Sequence, residues 1–300
     1  MRYVMKHGRM DLLMDPGQEG STVGQLLKSL CVSEKNQKRM LSTGELELNH
    51  AELRDLRTAV KAHDVLTVQI PEGLLDFKPA AQECPVVYED DFVYVAHKER
   101  GMIVHGEPDE TDTLACQAAA WQQSHGIQQP VRYIHRLDRD TCGLVLFVKV
   151  PFLQAWYDEQ LRLKLIQRHY LAITTGKAAL RQQFTFRMPI GRDRHVSGKY
   201  RVSETGREAL TEAECIQKKG PYLLMSCQLE TGRTHQIRVH LSASGHPIVN
   251  DPLYGNPSPD FTGMGLWADE ICFSNPITGE QCRAVDLPCP DFSWFSPVHA

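Results

Sequence analysis

The chain has no Cys-x-x-Cys pair, no apolar run long enough to cross a bilayer, no internal repeat and no low-complexity tract. Its nine cysteines are scattered. That spacing argues against a zinc ribbon or a disulfide framework and for reduced thiols in a cytoplasmic protein. Cys227 and Cys272 sit in apolar stretches and read as small core residues. The N-terminal residues lack the pattern of a signal peptide, so no membrane role is expected. An excess of positive charge is also missing. A formal net charge of -4 over 300 residues does not by itself mark a nucleic-acid binder.

The distribution of charge is more informative than its sum. Between residues 161 and 240, Lys and Arg far outnumber Asp and Glu, with Arg192, Arg194, Lys199, Arg201 and Arg207 close together. In the last sixty residues Arg283 stands alone against several carboxylates. Such asymmetry suits a one-faced site for a polyanion. A merely solvated basic surface would look the same.

The length suggests one large domain or two. Residues 1–20 carry little pattern. Val23, Leu26, Leu27 and Leu30 then fall at helical spacing behind a cap at Ser21. A second helix starts at Ser33, with Lys35, Lys38 and Arg39 on one face, and ends at Thr43-Gly44. Glu45–Leu48 alternates, turns at Asn49-His50, and the chain returns as a strand at Val65–Ile70. Two small helices followed by strands resemble the S-four type RNA-binding module. Residues 1–70 are assigned to it, residues 71–85 to a linker bounded by proline, and residues 86–300 to a second domain. A small α+β cap with no RNA role is the competing reading of residues 1–70.

The second domain opens with strand, acidic turn and strand at Val86–Ala96. Residues 113–123 read as a helix with Leu114, Ala118 and Trp121 on one side, and Pro151 starts another. Between them lies Tyr133-Ile134-His135-Arg136-Leu137-Asp138-Arg139-Asp140-Thr141-Cys142-Gly143-Leu144. It sets the carboxylate of Asp138 among basic side chains, just ahead of the apolar run Leu144–Val148. That run reads as a buried strand, although periodicity alone leaves a helix open. Asp138 would then occupy a loop held by a rigid scaffold.

The order His-Arg-Leu-Asp-x-x-Thr-Cys-Gly-Leu resembles the signature of the RluA-type pseudouridine synthases, which isomerise uridine within RNA. Cys142 stands where that family usually has Ser, and Lys98-Glu99-Arg100-Gly101 lacks the proline of its Lys-Pro-x-Gly stretch. Tyr170-x-Ala172-x-x-x-Gly176 resembles its second motif. Leu229–Leu241, containing Gly232-Arg233-Thr234-His235-Gln236-Ile237-Arg238, resembles the third, with the continuation Gly245–Gly255. Thr234 reads as a helix cap, and Gly245-His246-Pro247 as the stop.

The resemblance implies an α+β fold: a mixed, largely antiparallel central sheet flanked by helices, with the cleft at its middle. It implies an isomerase that cuts the bond from sugar to uracil nitrogen, rotates the base and rejoins it through carbon. No cofactor and no metal are expected. Asp138 is the implied catalytic carboxylate, as nucleophile, as stabiliser of a cationic sugar or as base in an elimination; the sequence leaves these open. Arg238 is the implied partner of Asp138, and a guanidinium suits the task because its planar fork holds a carboxylate in fixed orientation. Tyr170 is the implied aromatic face for a uracil taken out of its stack. Arg136, His135, Arg233 and Ile248 are the implied substrate contacts. The expected partner is RNA, with large-subunit ribosomal RNA ahead of transfer RNA, and the expected state a monomer.

Several residues invite other chemistry. Asp140 beside Asp138 suggests a carboxylate pair, but the turn residues after it favour a loop-fixing acceptor. His235 and His240 are five apart, lack the spacing of a helical zinc site and read as structural. Cys142 with His135 suggests a thiol nucleophile and base, without a recognisable oxyanion site. The rival functions are a non-catalytic RNA-binding protein that keeps the fold, and a glycosidase or nucleosidase acting on a free substrate.

Overall fold

The computed structural model describes residues 1–6, 8–107 and 110–298. Residues 1–20, uninformative in sequence, form a hairpin of β1 (Arg2–Lys6) and β2 (Arg9–Leu13). Helices α1 (Val23–Ser29) and α2 (Glu34–Ser42) follow. The cap of α1 is Thr22 rather than Ser21, because Gln25 closes a reciprocal capping box with Thr22. Ser33 caps α2. Strands β3 (Leu46–Leu48) and β4 (Ala51–Glu52) are joined by Asn49 and His50, both at positive φ, and β5 (Val65–Gln69) completes the sheet. The order is β1-β2-β5-β3-β4.

The rest of the chain builds one large sheet. Its elements are β6 (Val86–Glu89), β7 (Val93–Lys98), α3 (Leu114–Ser124), β8 (Arg132–Tyr133), β9 (Cys142–Val148), α4 (Gln154–Arg162), β10 (Gln167–Thr174), β11 (Gln183–Arg187), β12 (Ile190–Arg192), β13 (Tyr200–Val202), β14 (Leu210–Lys219), β15 (Tyr222–Leu229), α5 (Gln236–Ala243), β16 (Leu266–Ser274) and β17 (Gln281–Val285). A 3₁₀ turn at Pro151–Leu153 leads into α4, and another at Pro290–Trp294 follows β17. The strand order is β11-β14-β15-β10-β16-β9-β7-β6, with β17 on β16 and β8 on β9; β12 and β13 pair separately. Among the described residues, only β16 and β9 run parallel. The fold is therefore α+β with a mixed, largely antiparallel sheet. No helix of the described residues is long and apolar enough to cross a membrane.

The apolar run is the strand β9, buried at every position. Both of its faces are covered, which explains the lack of alternation in the sequence. Leu144, Leu146 and Val148 join a cluster shared with α4 and the N-terminal sheet, whereas Val145 and Phe147 join one shared with α3 and α5. Gly143 makes the parallel pairing possible. It sits at φ +118°, and a Cβ there would lie 2.2 Å from the Ala268 carbonyl oxygen. Cys142 faces the Leu266 carbonyl and Cys289, each at 3.7 Å from its sulfur. His135 instead receives the Leu146 amide on Nε2, so the two do not form the thiol and base pair weighed from the sequence.

The N-terminal sheet lies against the large one. Tyr3 and Phe92 have ring centroids 4.7 Å apart, and Met10, Leu12 and Leu27 share an apolar cluster with Val93 and Val95. Residues 71–85 run along the larger unit in steps: Gly73 N–H donates to the Gln128 carbonyl, the Asp76 carboxylate accepts from Val131 N–H, and Ala80 N–H donates to the Cys116 carbonyl.

On the sheet face away from α5, three strands are stitched by side chains. His169 Nδ1 is 2.8 Å from Asp269 Oδ1, and its Nε2 is 2.6 Å from Ser226 Oγ. Burial opposes the charged form of His169, but the bond and charge of Asp269 outweigh it and raise the pKa above 6.5. A raised value means stability that is fully present below 6.5 and is lost as pH rises through the folded pKa. Thermal unfolding of wild type and His169→Gln should therefore differ most near pH 6. The gap should shrink toward pH 9; a gap independent of pH would show that the ion pair contributes nothing.

Candidate active site

Along one edge β9 changes partner, pairing with β16 at Cys142 and Gly143 and with β8 at Phe147 and Val148. The loop from Ile134 to Thr141 leaves the sheet at this change and carries Asp138. Two devices fix it. The Thr141 amide donates to the Asp138 carbonyl and closes the turn; this replaces the loop-fixing role expected of Asp140. Lys98, fully buried, donates from Nζ to the carbonyls of Glu99, Met102 and Arg139 at 2.7–2.9 Å. Burial lowers its pKa to about 8. One lysine thus ties the strand end of β7 to the residue after Asp138.

Arg238 reaches the same point from α5. Its Nη1 lies 3.0 Å from Asp138 Oδ2. Its fork, however, closes on Asp251, with Nε 2.8 Å from Oδ2 and Nη2 2.9 Å from Oδ1. The sequence reading gave that fork to Asp138; the structure gives Asp138 a single bond from the remaining nitrogen. The face of Arg238 lies 5.1 Å from the centroid of Tyr254. The side chain of Arg238 is 4% exposed, that of Asp251 fully buried and that of Asp138 26% exposed. Burial works against the charge on Arg238, but Asp251 and then Asp138 more than offset it and hold the guanidinium protonated. Removing one partner of such a buried pair typically costs about 3–5 kcal/mol, because a charge is left uncompensated.

The start of α5 departs from expectation. Thr234 is not the cap. His235 precedes the helix at φ +58°, and the side chain of Gln236 accepts from Arg233 N–H and Thr231 Oγ1. The left-handed residue turns its ring inward: His235 Nε2 lies 3.9 Å from Asp138 Oδ2, and Nδ1 lies 2.9 Å from Tyr254 Oη. His240 bonds to Thr211 and to the Met188 carbonyl.

Asp138, Arg238 and His235 open onto a cavity of about 980 Å³, with Asp251 and Tyr254 outside its lining. Asp138, Tyr170, Arg238, Arg136, His135 and Arg233 all contribute to its wall, with Arg168 and His235. Ile248 does not. It is fully buried in the apolar cluster that includes Tyr170, so it supports the wall rather than forming it. Tyr170 comes from the middle of β10, on the face covered by α5, and burial raises its pKa. His135 is buried, and desolvation with Arg168 nearby lowers its pKa to about 3, so it is neutral. Arg136 is exposed at the mouth. Arg233 Nε donates to the Glu208 carbonyl. Arg162 and Lys164 extend the basic wall, with Lys164 paired to Glu230 at 3.0 Å.

Sequence reasoning missed Asp251, Tyr254 and the placement of His235. Asp251 and Tyr254 lie in the stretch that follows the third motif, but their meeting with Arg238 depends on the loop after α5 folding back. Chemically, the arrangement is a partly exposed carboxylate beside a buried cation and an aromatic side chain, in a basic cavity large enough for a nucleoside.

A family model described as RNA pseudouridylate synthase matches residues 92–243. The chain is 34% identical over 286 residues to an uncharacterized RNA pseudouridine synthase of Bacillus subtilis, YhcT, covering 94% of each chain. It is 30% identical over 276 residues to the ribosomal large subunit pseudouridine synthase D of Vibrio cholerae, covering 86% of this chain and 84% of that one. Among solved structures, human RNA pseudouridylate synthase domain containing 1 aligns with a TM-score of 0.58 at 23% identity, over 71% of this chain and 87% of that one; this speaks for the fold.

Proposed function

The chain belongs to the RNA pseudouridine synthases of RluA type, isomerases that act on uridine in RNA, and from that premise we propose that Asp138 is the carboxylate that carries the reaction. The observation behind this is the 3.0 Å contact of Asp138 with Arg238, whose own position is fixed by Asp251, at the wall of a cavity that Tyr170 also lines. Arg238 orients the carboxylate through its 3.0 Å bond and sets a positive charge beside it, where RNA phosphates would otherwise dominate the local field. Tyr170 offers its ring to the flipped uracil. Because burial raises its pKa, it acts as a neutral phenol, which suits stacking and hydrogen bonding better than proton removal by a tyrosinate. Arg136 at the mouth and Arg168 and Arg233 in the wall meet the nucleotide and its phosphates. His135 packs there as a neutral ring.

We propose large-subunit ribosomal RNA as the substrate. The reading rests on relatives such as that of Vibrio cholerae, named for the large ribosomal subunit. Transcripts tritiated at uracil carbon five release label on isomerisation. Large-subunit transcripts should release it and transfer RNA transcripts should not. Asp138→Asn should bind RNA normally and lower release by roughly 10⁴-fold, the scale on which a reacting group counts. Retained release in that variant would remove Asp138 from the chemistry. Release from transfer RNA alone would overturn the substrate reading.

We propose further that residues 1–70 form an RNA-binding module, with residues 71–85 as its connector to the catalytic unit at 86–300. Of the expected basic face, Arg39 is committed to Glu45, which leaves exposed Lys35 and Lys38, the latter beside Arg54 at a shallow surface groove. Replacing Lys38 and Arg54 by Glu should weaken RNA binding and flatten its salt dependence while leaving the single-turnover rate at saturation intact. Unchanged affinity would reduce this sheet to a structural cap.

A further inference from the structure

The ring of His235 faces the Asp138 oxygen that Arg238 holds, Nε2 at 3.9 Å and Nη1 at 3.0 Å. The backbone alone does not require imidazole there. At φ +58° an Asn would serve equally, since Asn, Asp and His all tolerate the left-handed region.

The hydrogen bonds around the ring favour the tautomer with its proton on Nε2. The Tyr200 amide donates to Tyr254 Oη at 2.7 Å, and the same Oη lies 2.9 Å from His235 Nδ1. Among the described residues Nδ1 is the one acceptor bonded to that hydroxyl, so the hydroxyl proton goes to Nδ1 rather than being left unsatisfied. A neutral imidazole that accepts on Nδ1 carries its proton on Nε2. The ring is neutral because burial lowers its pKa; Asp138 opposes that shift, Arg238 adds to it and Asp251 opposes it. The ring of Tyr200 flanks it edge-on, with centroids 5.5 Å apart. Tyr200 belongs to β13, whose hairpin with β12 carries Arg192, Arg194, Lys199 and Arg201.

We propose that His235 is a positioning residue for Asp138: held by Tyr254 as a neutral ring protonated on Nε2, it aims a second donor at the oxygen that Arg238 grips. This rests on Asp138 being the reacting carboxylate. The gap exceeds a hydrogen bond by about 1 Å, so the donor engages only after a small shift. Tyr254 is itself anchored to Tyr200, so the basic hairpin that would meet RNA and the aim of His235 are mechanically linked. A neutral donor orients the carboxylate without the further charge that would make it a weaker reactant.

Three variants and one spectrum test this. Gln places an N–H near the Nε2 position but fits the left-handed backbone poorly; Asn fits the backbone but its amide stops near Nδ1. His235→Gln should keep kcat for tritium release within about tenfold of wild type, and His235→Asn should lose roughly 10²-fold, the cost of one misplaced donor, with KM little changed. Tyr254→Phe should lower kcat and let the ring proton move to Nδ1. In the wild-type protein, ¹⁵N NMR of the histidine rings, assigned through the variant spectra, should show His235 protonated on Nε2. An Asn variant at least as active as Gln, or a wild-type ring protonated on Nδ1, would overturn the proposal whether or not any variant is less stable. Turnover retained by Asp138→Asn would instead remove the site reading on which it rests.

Discussion

A single buried guanidinium sits between two carboxylates, and the architecture of the site follows from what that demands. Arg238 is all but sealed from solvent. Taking it out of water is costly, and only an excellent pairing offsets that cost. Asp251 provides it, with two bonds and no exposure of its own. The remaining nitrogen points to Asp138, which keeps a quarter of its side chain open. The division matters. Were the fork spent on Asp138, both of its oxygens would be occupied and the group least able to react. With Asp251 as the anchor, the guanidinium is already held where it meets Asp138, which receives orientation from one bond and keeps an accessible side.

That arrangement needs three segments to meet: the loop before β9, helix α5 and the loop after α5. The sheet brings them together. Gly143 permits β9 to lie parallel against β16, and the change of partner along β9 leaves room for the Asp138 loop. Lys98 holds that loop by its carbonyl oxygens. Tyr254 packs on Arg238 and anchors the basic hairpin through Tyr200, so a surface suited to phosphates is tied to the buried ion pair by a few side chains.

Much of this was legible in the sequence where the chemistry is contiguous. A carboxylate among basic residues ahead of an apolar strand is a local pattern, and the segment from Ile134 to Val148 folds as its composition dictates. Arg238 lay in the third motif, read as a helix from a cap at Thr234 to the stop at Gly245. That reading does not say which acid it meets, and the bidentate grip of Asp251 depends on a loop returning across α5. His235 was set aside as structural because it lacks the spacing of a helical zinc site; its placement follows from one left-handed residue, a conformation that propensity does not reveal. Ile248 was assigned to the base through the resemblance, yet the pairing that places it beside Thr174 buries it behind the wall. The hairpin of residues 2–13 escaped notice because its outer strand is half exposed and borrows its core from the neighbouring unit.

The central claim is that geometry, not charge alone, makes Arg238 effective. Single-turnover tritium release by Arg238→Lys at saturating RNA tests it most directly. A lysine keeps the positive charge but cannot hold Asp251 with a fork and Asp138 with a third nitrogen. The account predicts a rate lowered by roughly 10²-fold or more, the scale of losing a preorganised donor at a reacting group. A rate near wild type in a folded variant would contradict it.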